Sequence, residues 1–538
     1  MKLAKNKCAI ILVILIILQI VNIIFWGTKK EGYHIDEVFS YGLSNGYYNP
    51  FPYYETDDYF MVWHDVEFFT DYVMVPTEHR FAYDSVWYNQ AADVHPPLFY
   101  AVLHTVCSFF PETFSNWYAI SVNIAFSVLN IILLYKIACF VFKEKKERAL
   151  LVCAAYGFSA GCVSNAVYIR MYVMVTFFVL LFTLLHACIY ERRKYKVFFT
   201  LIALTTFLGT LTHYYFYVFA FFVSAFFCLY ALFKKKWKAL LGYVISMFGG
   251  IGASILVFPS ALEHVFSGYR GTEAVDNLAN GNWLSKVSEY ITYVNLELLG
   301  GNLRYIVLIV AVAVVVLGIK NFSTIKNIKF ERDAIGYYWH GFWRVIQKEY
   351  ANISFIVAAI AYAVLVASMS TISANRYIFP LYPLIVLYIT WFTSGLVGQL
   401  MTKKGTAFAI LSVCWAFMLV SQYEKGCVDY LYQGYAAIQE QVAQYSDSDT
   451  FYIGDSTHPI YRDMMFLAKA DRFICIPAST LEEALQEMKE DVVSDDALIY
   501  VYKENKDEEI LNTIGEELGL SDFEFLAETY QSRIYYGY

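Results

Sequence analysis

The sequence predicts a polytopic α-helical membrane protein with a small α/β domain at its C-terminal end, on three observations. Of 538 residues, 58% are hydrophobic and only 16% charged, with a mean hydropathy of +0.44; soluble globular chains run at roughly 45–50% apolar even with glycine counted. Apolar runs of roughly 18–25 residues, the length that crosses a hydrocarbon core, recur between residues 8 and 422. The net charge of −8 divides unevenly, with 24 acidic and 8 basic residues from Gln422 onward and 24 acidic and 32 basic before it. A basic-looped membrane domain (1–422) and an acidic soluble domain (423–538) follow from that division.

Lys2, Lys5 and Lys7 precede the first run, 8–26. Basic residues favour the cytoplasm, so the N-terminus is expected inside and the chain after residue 26 outside. No small-residue cleavage site follows the run, which reads as an uncleaved start-transfer helix. The basic clusters at 143–148, 191–196, 234–238 and 402–404 are placed inside by the same rule. That constraint decides segment 95–110: as a span it would push 143–148 outside. It is short and opens with Pro96-Pro97, so it is expected to lie at the outer surface. The spans then fall near 8–26, 116–142, 149–168, 171–190, 197–213, 215–233, 238–258, 304–320, 352–373, 378–398 and 406–422, about eleven in all. Outer loops cover 27–115, with surface helices, and 259–303. An inner loop, 320–350, carries Lys320, Lys326, Lys329, Arg332, Arg344 and Lys348 and is expected on the inner leaflet. The tail, expected extracytoplasmic, reads as strands at 450–454, 472–477, 497–502 and 523–538, with helices at 481–490 and 508–519. Most of the ten cysteines lie in apolar runs; Cys427 and Cys475 could pair in an oxidising compartment.

Ionisable residues at the ends of spans are costly, which makes them functional candidates. On the outer side these are Asp36 and Glu37 after the first span, Asp93 and His95 before Pro96-Pro97, Arg170 between two spans, His213 at the next outer turn and Arg376 at the head of the tenth span. Asp57, Asp58, Asp65, Glu67 and Asp71 read instead as solvent-facing. Carboxylates beside Arg and His at a lipid–water boundary suit transfer from a phosphate-bearing lipid. The cations hold the phosphate as it leaves and a carboxylate takes the nucleophile's proton. Asp36 is the expected base, with Glu37 tuning it or sharing a divalent cation. His95, Arg170, His213 and Arg376, with Asp93, would bind the donor phosphate. No Gly-rich phosphate loop on a strand–helix unit appears, so no nucleotide-sugar site is expected, nor a nucleic-acid partner. A transporter or lipid flippase is the alternative reading, and a polytopic scaffold a third.

The Asp36-Glu37 pair after the first span, HPPLFY at 95–100, YIRMY at 168–172, THYY at 212–215 and RYIFPLYP at 376–383 together resemble GT-C-type glycosyltransferases. The family is that related to protein O-mannosyltransferases and the lipid A aminoarabinose transferase, and the resemblance covers roughly residues 1–422. It implies inverting transfer of a sugar from a polyprenyl-phosphate donor to a lipid, glycan or protein acceptor on the outer face of the cell membrane. His95 stands where the aminoarabinose branch has a lysine.

Overall fold

The computed structural model describes residues 2–51, 59–143, 145–191, 195–320, 344, 347–401, 403–456, 460–489 and 491–538. Helix α1 (Lys2–Gly27) enters a loop that carries α2 (Ile35–Asn45), α3 (Glu67–Val73), α4 (Tyr83–Ala92) and α5 (Leu98–Ser108). Then follow α6 (Asn116–Val141), α7 (Lys146–Gly157), α8 (Ala160–Val167), α9 (Tyr172–Glu191), α10 (Tyr195–Thr210), α11 (Tyr215–Phe233) and α12 (Trp237–Val257). Three helices, α13 (Ser260–Phe266), α14 (Tyr269–Asn280) and α15 (Trp283–Glu297), fill the second long loop before α16 (Leu303–Lys320). The bundle closes with the helices Tyr350–Met369, Tyr382–Leu400 and Lys404–Glu424. Among the described residues nine helices are long and apolar enough to cross a membrane, and the α7–α8 pair, bent by 55°, makes a tenth. The protein is a multi-pass membrane protein. Its lipid-facing positions are apolar and bare, as with Leu256 at 83% and Phe248 at 72% exposure, a surface that suits hydrocarbon and not water.

Two expected spans take a different form. The run 149–168 is broken rather than continuous. Ser159 caps α8, its Oγ accepting from Cys162 N at 3.1 Å, and the Gln422 Oε1 takes Ala160 N at 2.7 Å. Polar side chains thus satisfy the backbone freed by the bend. Gly161 sits where the Tyr382 ring presses against the chain; a Cβ there would lie 2.5 Å from Tyr382 Cε2. The run 197–213 becomes the shorter α10, because the chain turns at Thr212 before α11. Segment 95–110 yields the 11-residue α5, too short to cross, packed against α2 and α6.

The tail builds five strands of a six-stranded sheet: β2 (Asp449–Ile453), β3 (Phe473–Ile476), β4 (Ala497–Tyr502), β5 (Phe523–Glu528) and β6 (Ser532–Gly537). The sixth is β1 (Trp63–His64) from the first long loop, so the order is β1-β3-β2-β4-β6-β5. β2 pairs parallel to β3 and β4, while β1, β5 and β6 join antiparallel. The stretch read as one strand at 523–538 is a hairpin, closed by Thr529 N donating to Ser532 O at 2.8 Å. Alternation assigns the two faces to different cores. Phe451, Ile453, Ile474, Ile476, Ile499 and Val501 pack with the helices Leu481–Glu487 and Asp507–Leu518. Tyr452, Phe473, Cys475, Leu498, Tyr500 and Ile534 belong to the core continuous with the membrane bundle. The tail is therefore fused to the body through one sheet face. Cys427 and Cys475 are both free thiols; the Cys475 thiol donates to Tyr59 Oη at 3.1 Å, so the disulfide pairing is not formed. Asp65, Glu67 and Asp71 are exposed. Asp57 and Asp58, and Lys326, Lys329 and Arg332 of the inner loop, lie outside the described residues.

Candidate active site

The motif HIDE begins helix α2, and the helix start dictates what each residue does. His34 is the N-cap; its Nδ1 accepts from Asp36 N at 3.1 Å, and Glu37 Oε2 accepts from His34 N at 2.6 Å. This reciprocal pair is a capping box with His in the Ser/Thr place. Glu37 is fully buried. Its carboxylate also meets Lys30 Nζ at 2.9 Å and takes Ile169 N at 2.8 Å. Lys30 in turn donates to Tyr430 O at 2.7 Å. Burial pushes the Glu37 carboxyl up and the Lys30 ammonium down, each opposed by the other's charge. Glu37 thus ties α2 to the α8–α9 turn and to the chain after the last span. Both its oxygens accept from these donors. Among the described residues no group of three or more His, Cys, Asp or Glu side chains gathers as a metal set.

Asp36, one position earlier, points the other way. Its Oδ2 accepts from Tyr168 Oη at 3.0 Å, meets Arg376 Nη2 at 3.5 Å and lies 3.6 Å from His34 Nδ1. Its Oδ1 takes no hydrogen bond among the described residues, and the side chain is 27% exposed. Desolvation acts to raise this carboxyl, but Arg170, Arg376 and His34 outweigh it and hold it well below the ordinary carboxylate range. Arg170, from the short turn between α8 and α9, is buried. It donates to Asp36 O at 3.2 Å, Ser40 Oγ at 3.3 Å, Tyr100 Oη at 2.9 Å and His95 Nε2 at 3.1 Å. Its Nε–H, also buried, has no hydrogen-bond partner among the described residues. Arg376 sits in a short 3₁₀ turn, 375–377, with its guanidinium over the Tyr377 ring at 5.3 Å.

The structure brings Asp93 and His95 to this cluster in supporting roles. An arginine can only donate, so His95 Nε2 accepts from Arg170, and Nδ1 carries the proton that goes to Asp93 Oδ2 at 2.8 Å. Burial lowers the His95 imidazole against the pull of Asp93, which fits that neutral tautomer. His95 therefore orients Arg170 and is not itself a cation for phosphate. His213 packs edge-on near it, ring centroids 5.9 Å apart, with Nδ1 accepting from Tyr215 N at 3.0 Å. Burial, then His95 and Arg170, push His213 well below its ordinary value, so it too enters the site neutral. His34 is pulled down to about 4 by burial, opposed by Asp36.

Several site residues carried no sequence signal. Tyr430 stacks on Tyr168 at 4.0 Å, and its Oη reaches Asn375 Oδ1 at 2.5 Å. Asn375 Nδ2 donates to Glu297 Oε1 at 2.8 Å and Asp429 Oδ2 at 3.0 Å, and Tyr382 Oη donates to Glu297 Oε2 at 3.1 Å. These contacts fasten the segment after the last span across the Arg376 turn. Burial, aided by Asp429, pushes the Glu297 carboxyl up to about 8. An acid with a raised folded-state pKa binds its proton more tightly folded than unfolded, so stability is lost as pH rises from about 4.5 through about 8. Glu297→Gln is expected to remove that fall, with thermal midpoints measured from pH 5 to 9 converging on a flatter profile. A mutant profile as steep as wild type would show that Glu297 does not carry it.

A cavity of about 370 Å³ is lined by apolar side chains apart from Thr205, among them Leu98, Val102, Phe126, Met174, Phe178 and Leu208. Leu98, in its wall, follows the Pro96-Pro97 pair that His95 precedes.

Two crystal structures of ArnT from Cupriavidus metallidurans are similar over nearly the whole chain. The one bound to undecaprenyl phosphate has TM-score 0.50 and 10% identity, covering 97% of each chain. The apo one has TM-score 0.50 and 11% identity, covering 99% of this chain and 98% of that one. The archaeal oligosaccharyltransferase AglB from Archaeoglobus fulgidus, in complex with an inhibitory peptide and a dolichol-phosphate, gives TM-score 0.47 and 12% identity over 92% of this chain and 70% of that one. No family model and no curated protein matches the chain. The chain has the polytopic GT-C membrane fold of ArnT.

Proposed function

We propose that the protein is an integral-membrane glycosyltransferase that moves a sugar from a polyprenyl-phosphate donor to a cell-envelope acceptor, a lipid, glycan or protein. The observation that carries this reading is a single cluster. An accessible carboxylate, Asp36, stands beside two guanidiniums, and the apolar cavity whose wall includes Leu98, just past His95 and Pro96-Pro97, is able to take an isoprenoid chain. The donor phosphate binds Arg170 and Arg376. The acceptor hydroxyl gives its proton to Asp36 as its oxygen attacks the anomeric carbon. The carbon–phosphate oxygen bond breaks, and the electron pair leaves on the phosphate, whose second charge the arginines offset. A single displacement inverts the anomeric centre. Phosphate bound at Arg376 also loosens that residue's hold on Asp36, which raises the proton affinity of the base as the donor arrives. A permeation path would instead set ionisable groups through the depth of the bundle. Mass spectrometry of cell-envelope glycans with and without the protein tests the reading: one sugar substituent should disappear with it, and an unchanged envelope would contradict it.

Replacing Arg170 or Arg376 by Lys keeps the charge and loses the planar fork. Each variant is expected to lower turnover by about tenfold or more, the worth of one charge-assisted hydrogen bond of about 1.5–3 kcal/mol. Normal donor binding and turnover in both would leave these arginines as interfacial anchors. The positive-inside rule leads us to expect the catalytic end of the bundle outside the cytoplasm. Cysteine labelling of intact cells should then modify a probe near Asp507 and spare one near Lys145, and the reverse pattern would invert the topology.

A further inference from the structure

One helix of the outer domain lies against α2. Helix Ile460–Leu467 packs against α2, the Tyr461 ring lying 5.4 Å from Phe39 and 5.5 Å from Tyr72. The next residue is Arg462. Its guanidinium stacks over Tyr530 at 4.5 Å, and its Nε–H is buried without a hydrogen-bond partner among the described residues. Among those residues no carboxylate lies within ion-pair distance of it. Its neighbour Asp463 is buried and held by Ser532, whose Oγ donates to it at 2.6 Å. Around it stand tyrosines, Tyr432, Tyr435 and Tyr502, on which its charge acts. The same charge acts on His34, as do those of Arg376 and Arg170. A buried unpartnered N–H is costly until a ligand takes it.

We infer that Arg462 is a third anion-binding residue of this site, delivered by the outer domain, and that it takes a phosphate group of a substrate. This rests on the glycosyltransferase reading for what the substrate is, but not for the anion. The phosphate comes from the headgroup of the donor lipid or from the acceptor, and the ring of Tyr530 fixes the guanidinium so that its fork meets the anion with little ordering cost. The outer domain then has a part in the reaction: it closes one wall of the site with a charge.

The test uses the purified full-length protein and inorganic phosphate as probe, read as thermal stabilisation. The phosphate concentration giving half-maximal stabilisation should rise by about tenfold in Arg462→Gln and by less in Arg462→Lys, while Arg270→Gln, at an exposed pair with Glu273, leaves it unchanged. Should Arg462→Gln fail to fold, the shift in Arg462→Lys alone decides. A wild-type response retained within about twofold in both variants, or no response to phosphate in wild type, overturns the inference. Undecaprenyl phosphate then identifies the source. Affinity lost in Arg462→Gln assigns the donor headgroup, and affinity kept while the inorganic phosphate response is lost assigns the acceptor. Failure of wild type to bind undecaprenyl phosphate, with the Arg462-dependent phosphate response intact, would count against the glycosyltransferase reading alone.

Discussion

Asp36→Asn is expected to cut turnover by about 10²–10⁴, the usual worth of a positioned general base, in a protein that still folds. The amide keeps an oxygen for Tyr168 Oη, and the cap at His34 uses the backbone N–H of residue 36, which the substitution leaves alone. What is lost is the charge and the ability to take a proton. Because that charge also occupies Arg376, its removal frees a guanidinium for the donor phosphate. Affinity for undecaprenyl phosphate should therefore stay level or tighten while turnover collapses. That split between binding and rate distinguishes a lost base from a damaged site. Near-normal turnover in Asp36→Asn would move the role to Asp93.

Glu37→Gln is expected to cost folding rather than chemistry, by about 3–5 kcal/mol, the penalty for stripping one partner from a buried ion pair. Glu37 accepts from Lys30 Nζ, His34 N and Ile169 N, and each of these can only donate. A glutamine would aim its own N–H₂ at one of them and leave the Lys30 ammonium buried without a counter-charge. Since Lys30 also holds Tyr430 O, the segment over Arg376 should loosen with it. The thermal midpoint of the detergent-purified protein reads the effect. The double replacement Lys30→Met with Glu37→Leu should recover a good part of it, because neither charge is then stranded. A Glu37→Gln protein with wild-type stability and no turnover would return Glu37 to the chemistry.

The fold was legible wherever it depended on composition along the chain. Span positions followed from run length, and five of the six sheet strands fell on stretches of apolar alternation. Long-range contacts escaped. Strand β1 is two residues, too short to show a period, and its partner β3 lies some four hundred residues later. The hairpin between β5 and β6 turns without Gly or Pro, through Thr529 and Ser532, so it read as one strand. The bend between α7 and α8 depends on Gln422, which nothing in the 149–168 run announces. At the site, the Asp36-Glu37 pair and the three-part Asp93, His95 and Arg170 set were visible as residues at span ends, but their division of labour was not. His34-x-x-Glu37 fits the spacing of a capping box, and that signal separates Glu37, which holds the helix start, from Asp36, which is left free. Tyr168, Tyr430, Asn375 and Glu297 belong to a class common in any membrane bundle, and only their convergence marks them.

We propose that Asp36 and its arginines transfer a sugar from a polyprenyl phosphate. The most direct test incubates the purified protein with lipid-linked sugars and acceptors extracted from the membranes of its own cells, followed by mass spectrometry of the lipid fraction. One polyprenyl-phosphate sugar should be consumed with matching release of polyprenyl phosphate by wild type, and neither should occur with Asp36→Asn. Equal recovery of every lipid-linked sugar with wild type and with Asp36→Asn would contradict the account.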